Sequence, residues 1–294
     1  MSLISRNKEK IISFLRFLDN KPGFRRLFYW IHEIRKDEFK TDRFLAVELD
    51  EGFSIGTYKF HRHRMWRMLA ESPFEELEVA LLKRLVSHFN TFFDIGAHIG
   101  FYTCLVRHIN PLAKIFSFEP NPENFKSLKK NVEVNKIKGA EIFNIGLGDK
   151  KEKRVLYGVD AMGSIVGETY GLNRLPEEQT VVEIDKLDNF VKEVPNGAQV
   201  FVKVDIEGNE FSMLRGAMEF ISKIKPIGFM MEVCRRWSVS ENPNFTATFQ
   251  LMDELGYHAY AILPGPYLEH VKNPEIFTDV SFLFWRKDQS KPTI

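Results

Sequence analysis

The chain has 294 residues, enough for one large α/β domain with an extension rather than two equal domains. Its 44% hydrophobic and 28% charged residues exclude a disordered chain, and a net charge of +1 gives no whole-chain attraction to nucleic acid. Two cysteines within apolar runs, Cys104 and Cys234, form no metal framework, suit a reducing compartment and read as buried thiols.

No apolar run approaches the ~18 residues of a membrane span, and the amino terminus carries no secretory pattern, so a cytoplasmic chain is expected. Residues 1–36 hold nine Lys or Arg against three acids. Ile11, Phe14, Leu15 and Leu18 share one helical face; after Pro22-Gly23 the pattern resumes with Phe24, Leu27, Phe28, Ile31 and Ile34. This extension, residues 1–40, reads either as a helical cap with a solvated face or as a basic amphipathic pair meeting an anionic membrane surface or a protein. The main domain then covers residues 41–294.

From Phe44 to His61, Leu45, Val47 and Leu49 alternate with polar or small residues, Asp50-Glu51-Gly52 turns, and Phe53, Ile55 and Tyr58 resume: a β-hairpin. His61 and His63 lack a third metal ligand nearby and read as a solvated edge. Pro73 to Phe89 reads as a helix whose early acids, Glu75, Glu76 and Glu78, suit the helix dipole.

The organising stretch runs from Phe92 to Tyr102. A short apolar run ends at Asp94 and passes into a turn containing Gly96, Ala97, His98 and Gly100, followed by a helical segment. This is how a buried parallel strand hands over to a helix at the sheet edge where open α/β folds bind ligands. The glycines read G-x-x-x-G, so the dinucleotide fingerprint G-x-G-x-x-G is not met and a nicotinamide oxidoreductase is disfavoured. A second strand, Ala113 to Phe118, ends at Glu119, where a carboxylate can accept from both hydroxyls of a ribose. Pro122 opens a helix.

Glu141 to Gly148 reads as a third strand and loop, and residues 150–175, including Ala161-Met162-Gly163-Ser164, as an inserted hairpin or mobile loop near the site. Thr180 to Ile184 is a short strand. Val200 to Val204 is a buried strand ending in Asp205-Ile206-Glu207-Gly208, followed by a helix through Met213, Leu214, Ala217 and Phe220. Ile227 to Met231 is a further strand ending at Glu232. A helix over Phe249 to Leu255 stops at Gly256, and Tyr257 to Leu263 and Val280 to Trp285 close the sheet in antiparallel fashion.

These segments together resemble the FkbM family of S-adenosylmethionine-dependent methyltransferases. The resemblance is carried by Phe93-Asp94-Ile95-Gly96-Ala97-His98-Ile99-Gly100, Phe118-Glu119-Pro120, Gly146-Leu147-Gly148-Asp149, Lys203-Val204-Asp205-Ile206-Glu207-Gly208 with Glu210, and Glu232-Val233. It leaves the first ~40 residues unexplained. It implies a Rossmann-like class I methyltransferase fold, a seven-stranded, mostly parallel sheet with helices on both faces and one antiparallel strand at its edge. By the same resemblance, Asp94, Gly96, Ala97 and Gly100 line the methionine and sugar of S-adenosylmethionine, and His98, where the family commonly has asparagine, donates to its carboxylate. Glu119 holds the ribose, and Leu147 to Asp149 flank the adenine.

For methyl transfer to a hydroxyl, Asp205 is the first candidate at the acceptor site, with Glu207 and Glu232 beside it. Either a carboxylate acts as general base, or Asp205 and Glu232 hold Mg2+ or Mn2+, an arrangement like that of catechol-type methyltransferases. Glu207 has a second reading as the cap of the following helix. Lys203 reads as a snorkelling side chain. The implied acceptor is a sugar or glycan hydroxyl, with polyketide or lipid hydroxyls as alternatives. A non-catalytic adapter docking through the amino-terminal helices is the rival from another class. A nucleic-acid methyltransferase is disfavoured because the strand end reads Asp205-Ile206-Glu207-Gly208.

Overall fold

In the computed structural model, the residues described are 45–49, 52–57, 75–157, 179–233, 236–237, 240–241, 244–265, 267–277 and 280–292. The amphipathic stretch 1–36, His61, His63, Ala161-Met162-Gly163-Ser164 and Cys234 lie outside them.

The strands are β1 (Leu45–Glu48), β2 (Ser54–Thr57), β3 (Thr91–Ile95), β4 (Lys114–Phe118), β5 (Ala140–Phe143), β6 (Gly146–Leu147), β7 (Glu152–Tyr157), β8 (Gln179–Asp185), β9 (Val200–Val204), β10 (Gly228–Glu232), β11 (Arg236–Trp237), β12 (Ser240–Glu241), β13 (Tyr257–Leu263), β14 (Tyr267–His270) and β15 (Ser281–Arg286). The α-helices are α1 (Glu76–Leu85), α2 (Phe101–Ile109), α3 (Pro122–Val134), α4 (Glu210–Arg215), α5 (Met218–Ile224) and α6 (Phe245–Glu254).

Eight strands form the main sheet in the order β14-β13-β15-β10-β9-β3-β4-β5. The five from β10 to β5 are parallel. Every residue of β3 and β9 is buried, as befits strands covered on both faces. Phe92 faces the layer built by Leu81, Leu82, Leu85, Leu105 and Val106, so α1 and α2 cover that side. Its neighbour Phe93 faces Met213, Leu214, Phe220, Phe249 and Met252, which places α4, α5 and α6 on the other. Across strands, Phe93 stacks on Phe116 at 4.7 Å and Phe118 on Phe143 at 5.0 Å, with Phe190 edge-on to both members of the second pair. This is a Rossmann-like, doubly wound and mostly parallel α/β sheet.

It departs from the expected seven strands in two ways. The antiparallel strand β15 is not at the edge but lies between β10 and β13. An eighth strand, β14, returns against β13 as a hairpin, with Leu263 opposite Tyr267. The segment between β13 and β15 holds this strand because Gly265, at φ +94°, reverses the chain. The chain also leaves the main sheet after β5: β6 pairs with β8 and β7 in a separate three-stranded sheet, in which β8 contains the short strand expected at Thr180 to Ile184, while residues 158–175 of the expected insertion lie outside the described residues. The single helix expected after β9 is two, α4 and α5. They break at Gly216, where a Cβ would lie 1.8 Å from the Gly148 carbonyl oxygen.

The hairpin β1–β2 is fastened by two asparagines one helical turn apart on α3. Asn131 Oδ1 accepts the Gly56 N–H at 2.8 Å, while its amide donates to the Gly56 and Ile99 carbonyls at 2.8 and 2.7 Å. Asn135 does the same to Ser54, accepting its N–H at 2.9 Å and donating to its carbonyl at 2.6 Å. The side-chain amides thus act on β2 as a neighbouring strand would. Replacing Asn131 by Leu strands three buried backbone groups. The Asn131→Leu variant is expected to lose about 2–4 kcal/mol of stability in urea denaturation, with faster amide exchange at Gly56.

Candidate active site

Successive connections from β3 run outward through β4 to β5, and the chain then returns to place β9 on the other side of β3. The carboxyl ends of β3, β4 and β9 therefore meet at a switch point, the place where an open sheet leaves a crevice. A cavity of about 200 Å3 opens there. That is below the roughly 300–1,000 Å3 of typical ligand pockets, so a nucleoside-sized ligand extends beyond the enclosed volume.

The turn after β3 forms the floor. Gly96 and Ala97 both donate to the Phe118 carbonyl, at 3.0 and 2.9 Å, and Asp205 donates its N–H to Ile95 at 3.0 Å. Gly96 has φ +80°, and a Cβ there would lie 1.8 Å from the Asp205 carbonyl oxygen, so only glycine allows the turn to pack against the end of β9. His98 is also left-handed, at φ 51°. Its N–H donates to Glu119 Oε2 at 2.8 Å.

Glu119 joins both loops. Its Oε1 accepts from the Asn121 N–H at 2.8 Å and from the Asn124 amide at 3.4 Å. Asn121 also caps α3, accepting the Glu123 N–H at 2.9 Å, with Pro122 in the first turn. Glu119 is 5% exposed, and burial pushes its carboxyl up to about 7 against the pull of the two backbone N–H donors.

Lys203 lies on the other side of the turn. It is buried, 7% exposed, with Nζ 3.0 Å from Asp205 Oδ2 and 4.7 Å above the Tyr102 ring centre. Its register partner on β3 is Asp94. Burial alone would lower the ammonium pKa; the charges of Asp205, Asp94 and Glu75 outweigh it and hold the group above its ordinary value. The expected snorkelling is thus corrected. With Asp205 and Asp94 beside it, the charged head is stabilised inside the cleft wall instead of reaching solvent. Glu75 is likewise not a dipole residue. It precedes α1, and its carboxyl accepts the Tyr102 hydroxyl within the cleft.

Of the residues singled out in the sequence, Gly96, Ala97, His98, Glu119, Leu147, Asp205, Glu207 and Glu232 line one cleft. Asp94, Gly100 and Asp149 do not. Asp94 is fully buried behind the turn, where Oδ2 accepts from Thr103 at 2.7 Å and Oδ1 has no hydrogen bond to a described residue. Gly100, at φ +90°, opens α2 against Leu128. Asp149 turns away toward Ser212. At the entry to α4, Glu210 Oε1 accepts the Gly208 N–H at 2.9 Å. Glu207 itself is left-handed, at φ 53°.

Glu75, Tyr102, Lys203, Asn121, Asn124 and Asn209 also line the cleft and were missed. For Lys203 a signal existed: it stands two residues before Asp205, on the same strand face, inside an otherwise apolar run. Among the described residues, no group of three or more His, Cys, Asp or Glu is placed to hold a metal ion. No helix among them is long and apolar enough to cross a membrane.

A glycine turn, a buried acid at the tip of the next strand and an acid-rich third strand end thus stand together at the switch point of an open α/β sheet. The Methyltransferase FkbM domain model matches residues 94–259, more than half of the chain, and the chain belongs to that family. A curated relative, Methyltransferase 1 of Beauveria bassiana (strain ARSEF 2860), is 30% identical over 140 residues, which are 42% of this chain. The matched region spans 56% of that relative's length. Among solved structures, a SAM-dependent methyltransferase from Agrobacterium tumefaciens is similar with a TM-score of 0.43 and 10% identity, covering 83% of this chain and 70% of its own. Precorrin-6y C5,15-methyltransferase from Geobacter metallireducens GS-15 is similar with a TM-score of 0.38 and 13% identity, covering 72% and 88%.

Glu210 offers a test of the site's electrostatics. It is 1% exposed, and burial raises its carboxyl from 4.5 to about 7, opposed by its backbone hydrogen bonds and assisted by Asp205 and Glu232. Folding favours the protonated form, so its stabilisation is complete below pH 4.5 and is lost as the pH rises through about 7. Glu210→Gln, which keeps the acceptor for Gly208, should track wild type below pH 4.5. By pH 8 it should be more stable by about 3 kcal/mol in urea titrations.

Proposed function

We propose that this chain is an S-adenosylmethionine-dependent O-methyltransferase acting on a hydroxyl of a sugar or glycan. The observation that carries the reading is the convergence of the Gly96–Gly100 turn, Glu119 and Asp205 on one cleft.

The residues fit the cofactor by their chemistry. Glu119 Oε1 and Oε2 each already accept from the protein, which fixes the carboxylate plane, and a carboxylate oxygen has capacity for a further hydroxyl donor. A ribose diol satisfies that arrangement. Leu147, Leu156 and Ile184 offer an apolar slot for a base on the β4–β5 side. The opposite wall, with Glu75, Asp205 and Glu232, suits a cationic tail and would repel the diphosphate of a dinucleotide. The departure from G-x-G-x-x-G agrees with that preference.

Bound S-adenosylmethionine supplies a methyl group on a positively charged sulfur, open to in-line attack by a nucleophile. The protein's part is to seat the acceptor, exclude water and receive the hydroxyl proton. Asp205 is held by Lys203, which fixes the carboxylate for orienting the acceptor. Glu207 and Glu232, on adjoining strand ends at the same cleft, are the groups to take the proton. A cation bridge between Asp205 and Glu232 is less favoured, because the Lys203 ammonium already neutralises Asp205. A polar wall of carboxylates and amides favours a sugar hydroxyl over a polyketide or lipid one.

The experiment is calorimetric titration of the full chain with S-adenosylhomocysteine, followed by screening of sugar acceptors with S-adenosylmethionine. Glu119→Ala should weaken binding by at least about 30-fold, since charge-assisted hydrogen bonds are lost. Because the diol needs the ionised carboxylate, wild-type affinity should fall as the pH drops through about 7, approaching tenfold per pH unit below it. If the wild type fails to bind at any pH, the reading is lost and a non-catalytic adapter takes its place.

A further inference from the structure

Glu75 occupies the position before α1 where a helix normally places a capping side chain in extended conformation. It is instead left-handed, at φ 46° and ψ 50°, and makes no cap hydrogen bond. That conformation is strained for a non-glycine residue, and such strain concentrates where a side chain is held for a ligand. Here it turns the carboxyl away from the helix and into the cleft, where one oxygen, Oε2, accepts the Tyr102 hydroxyl. The other oxygen has no hydrogen bond to a described residue.

The cleft has a direction. The apolar slot and Glu119 lie on the β4–β5 side, and the Gly96–Gly100 turn is in the middle. Lys203 lies on β9 and Asp205 just past its end, two strand spacings or roughly 10 Å from β4. A nucleoside with its base in the slot and its diol on Glu119 therefore sends its 5′ substituent across the turn toward β9. Glu75 is on that side. The groups acting on it are Tyr102 from α2, Lys203 from β9, Asp205 just past its end, and Glu78 from α1. Asp205 is occupied by Lys203 at 3.0 Å, whereas the hydrogen bond of the Glu75 carboxyl among the described residues is to the neutral Tyr102 hydroxyl.

We propose that Glu75 is the residue that recognises the amino-acid end of the cofactor, receiving its α-ammonium on the open carboxylate oxygen. This rests on the nucleoside reading of the cleft given above. Tyr102 acts as a positioning residue, since burial and the nearby acids Glu75 and Glu78 raise its hydroxyl well above the ordinary value and keep it a donor. Glu75 is an exposed residue, yet the protein atoms packed around its carboxyl, opposed by Lys203, raise that group to about 7. An arriving ammonium favours the ionised form, so binding near neutral pH releases a proton.

The test compares S-adenosylhomocysteine with 5′-methylthioadenosine, which shares the base, ribose and sulfur but lacks the amino acid. Both are titrated calorimetrically into full-length wild type and Glu75→Gln, with thermal melting to verify the fold. Gln preserves an acceptor for the Tyr102 hydroxyl. The expected result is at least a tenfold loss for S-adenosylhomocysteine in the variant and less than a twofold change for 5′-methylthioadenosine. Titration at pH 7 in buffers of different ionisation enthalpy should also show more proton release with S-adenosylhomocysteine than with 5′-methylthioadenosine, the excess vanishing in Glu75→Gln. Equal losses for both ligands, an unchanged affinity for S-adenosylhomocysteine, or equal proton release would overturn the assignment while leaving the nucleoside site standing. Wild type binding neither ligand would remove the site reading itself.

Discussion

One buried ammonium group organises this sheet edge. Lys203 sits beside Asp94 across the β3–β9 ladder, pairs with Asp205 two residues along its own strand, and lies under the Tyr102 ring at the start of α2. Each of these neighbours belongs to a different part of the cleft. Two carboxylates brought this close at a buried edge repel one another and lose hydration, which only a shared cation offsets. Lys203 provides that cation, and so permits a strand end rich in acids to approach the Gly96 turn closely enough for backbone contact. The net result is a wall whose carboxylates outnumber its cations, yet whose innermost charges are compensated.

The turn itself is fixed from three directions. Gly96 and Ala97 share the Phe118 carbonyl, His98 donates to Glu119, and the Ile99 carbonyl accepts from Asn131. The left-handed backbone at His98 also explains why histidine stands where the resembled family commonly has asparagine. Both types enter the left-handed region more readily than most residues, and the group used here is the backbone N–H. The requirement at this position is conformational first, whatever the imidazole adds.

The sheet was largely legible because its central strands are unbroken apolar runs closed by an acid or a glycine. Val200 to Val204 and Tyr257 to Leu263 coincide with β9 and β13 as expected. The glycine turn, Glu119 and Asp205 were legible for the same reason, each being a polar residue at the end of a buried strand. What stayed hidden depends on register or on distant pairing. Nothing local says that Lys203 faces Asp94, since that follows only from the parallel alignment of β9 with β3. Glu75 looked like an ordinary first-turn acid because a left-handed residue before a helix leaves no mark in composition. The β13–β14 hairpin was overlooked because Tyr267–His270 has only one buried side chain and no apolar run. Likewise β6 is two residues long, too short for any periodicity to separate it from the strand before it.

Glu119 carries a tension that bears on how the site works. The same carboxylate that is suited to a ligand diol also holds the His98 and Asn121 backbones together, so the ligand would join hydrogen bonds that already exist rather than create the geometry. Preorganisation of this kind reduces the ordering cost of binding, because neither the loop nor the carboxylate has to be immobilised by the ligand. Asn131 extends the same logic outward. By linking Gly56 of the amino-terminal hairpin to Ile99 of the turn, it makes the hairpin part of the support of the site. Through these bonds the hairpin braces the backbone of the turn that lines the cleft.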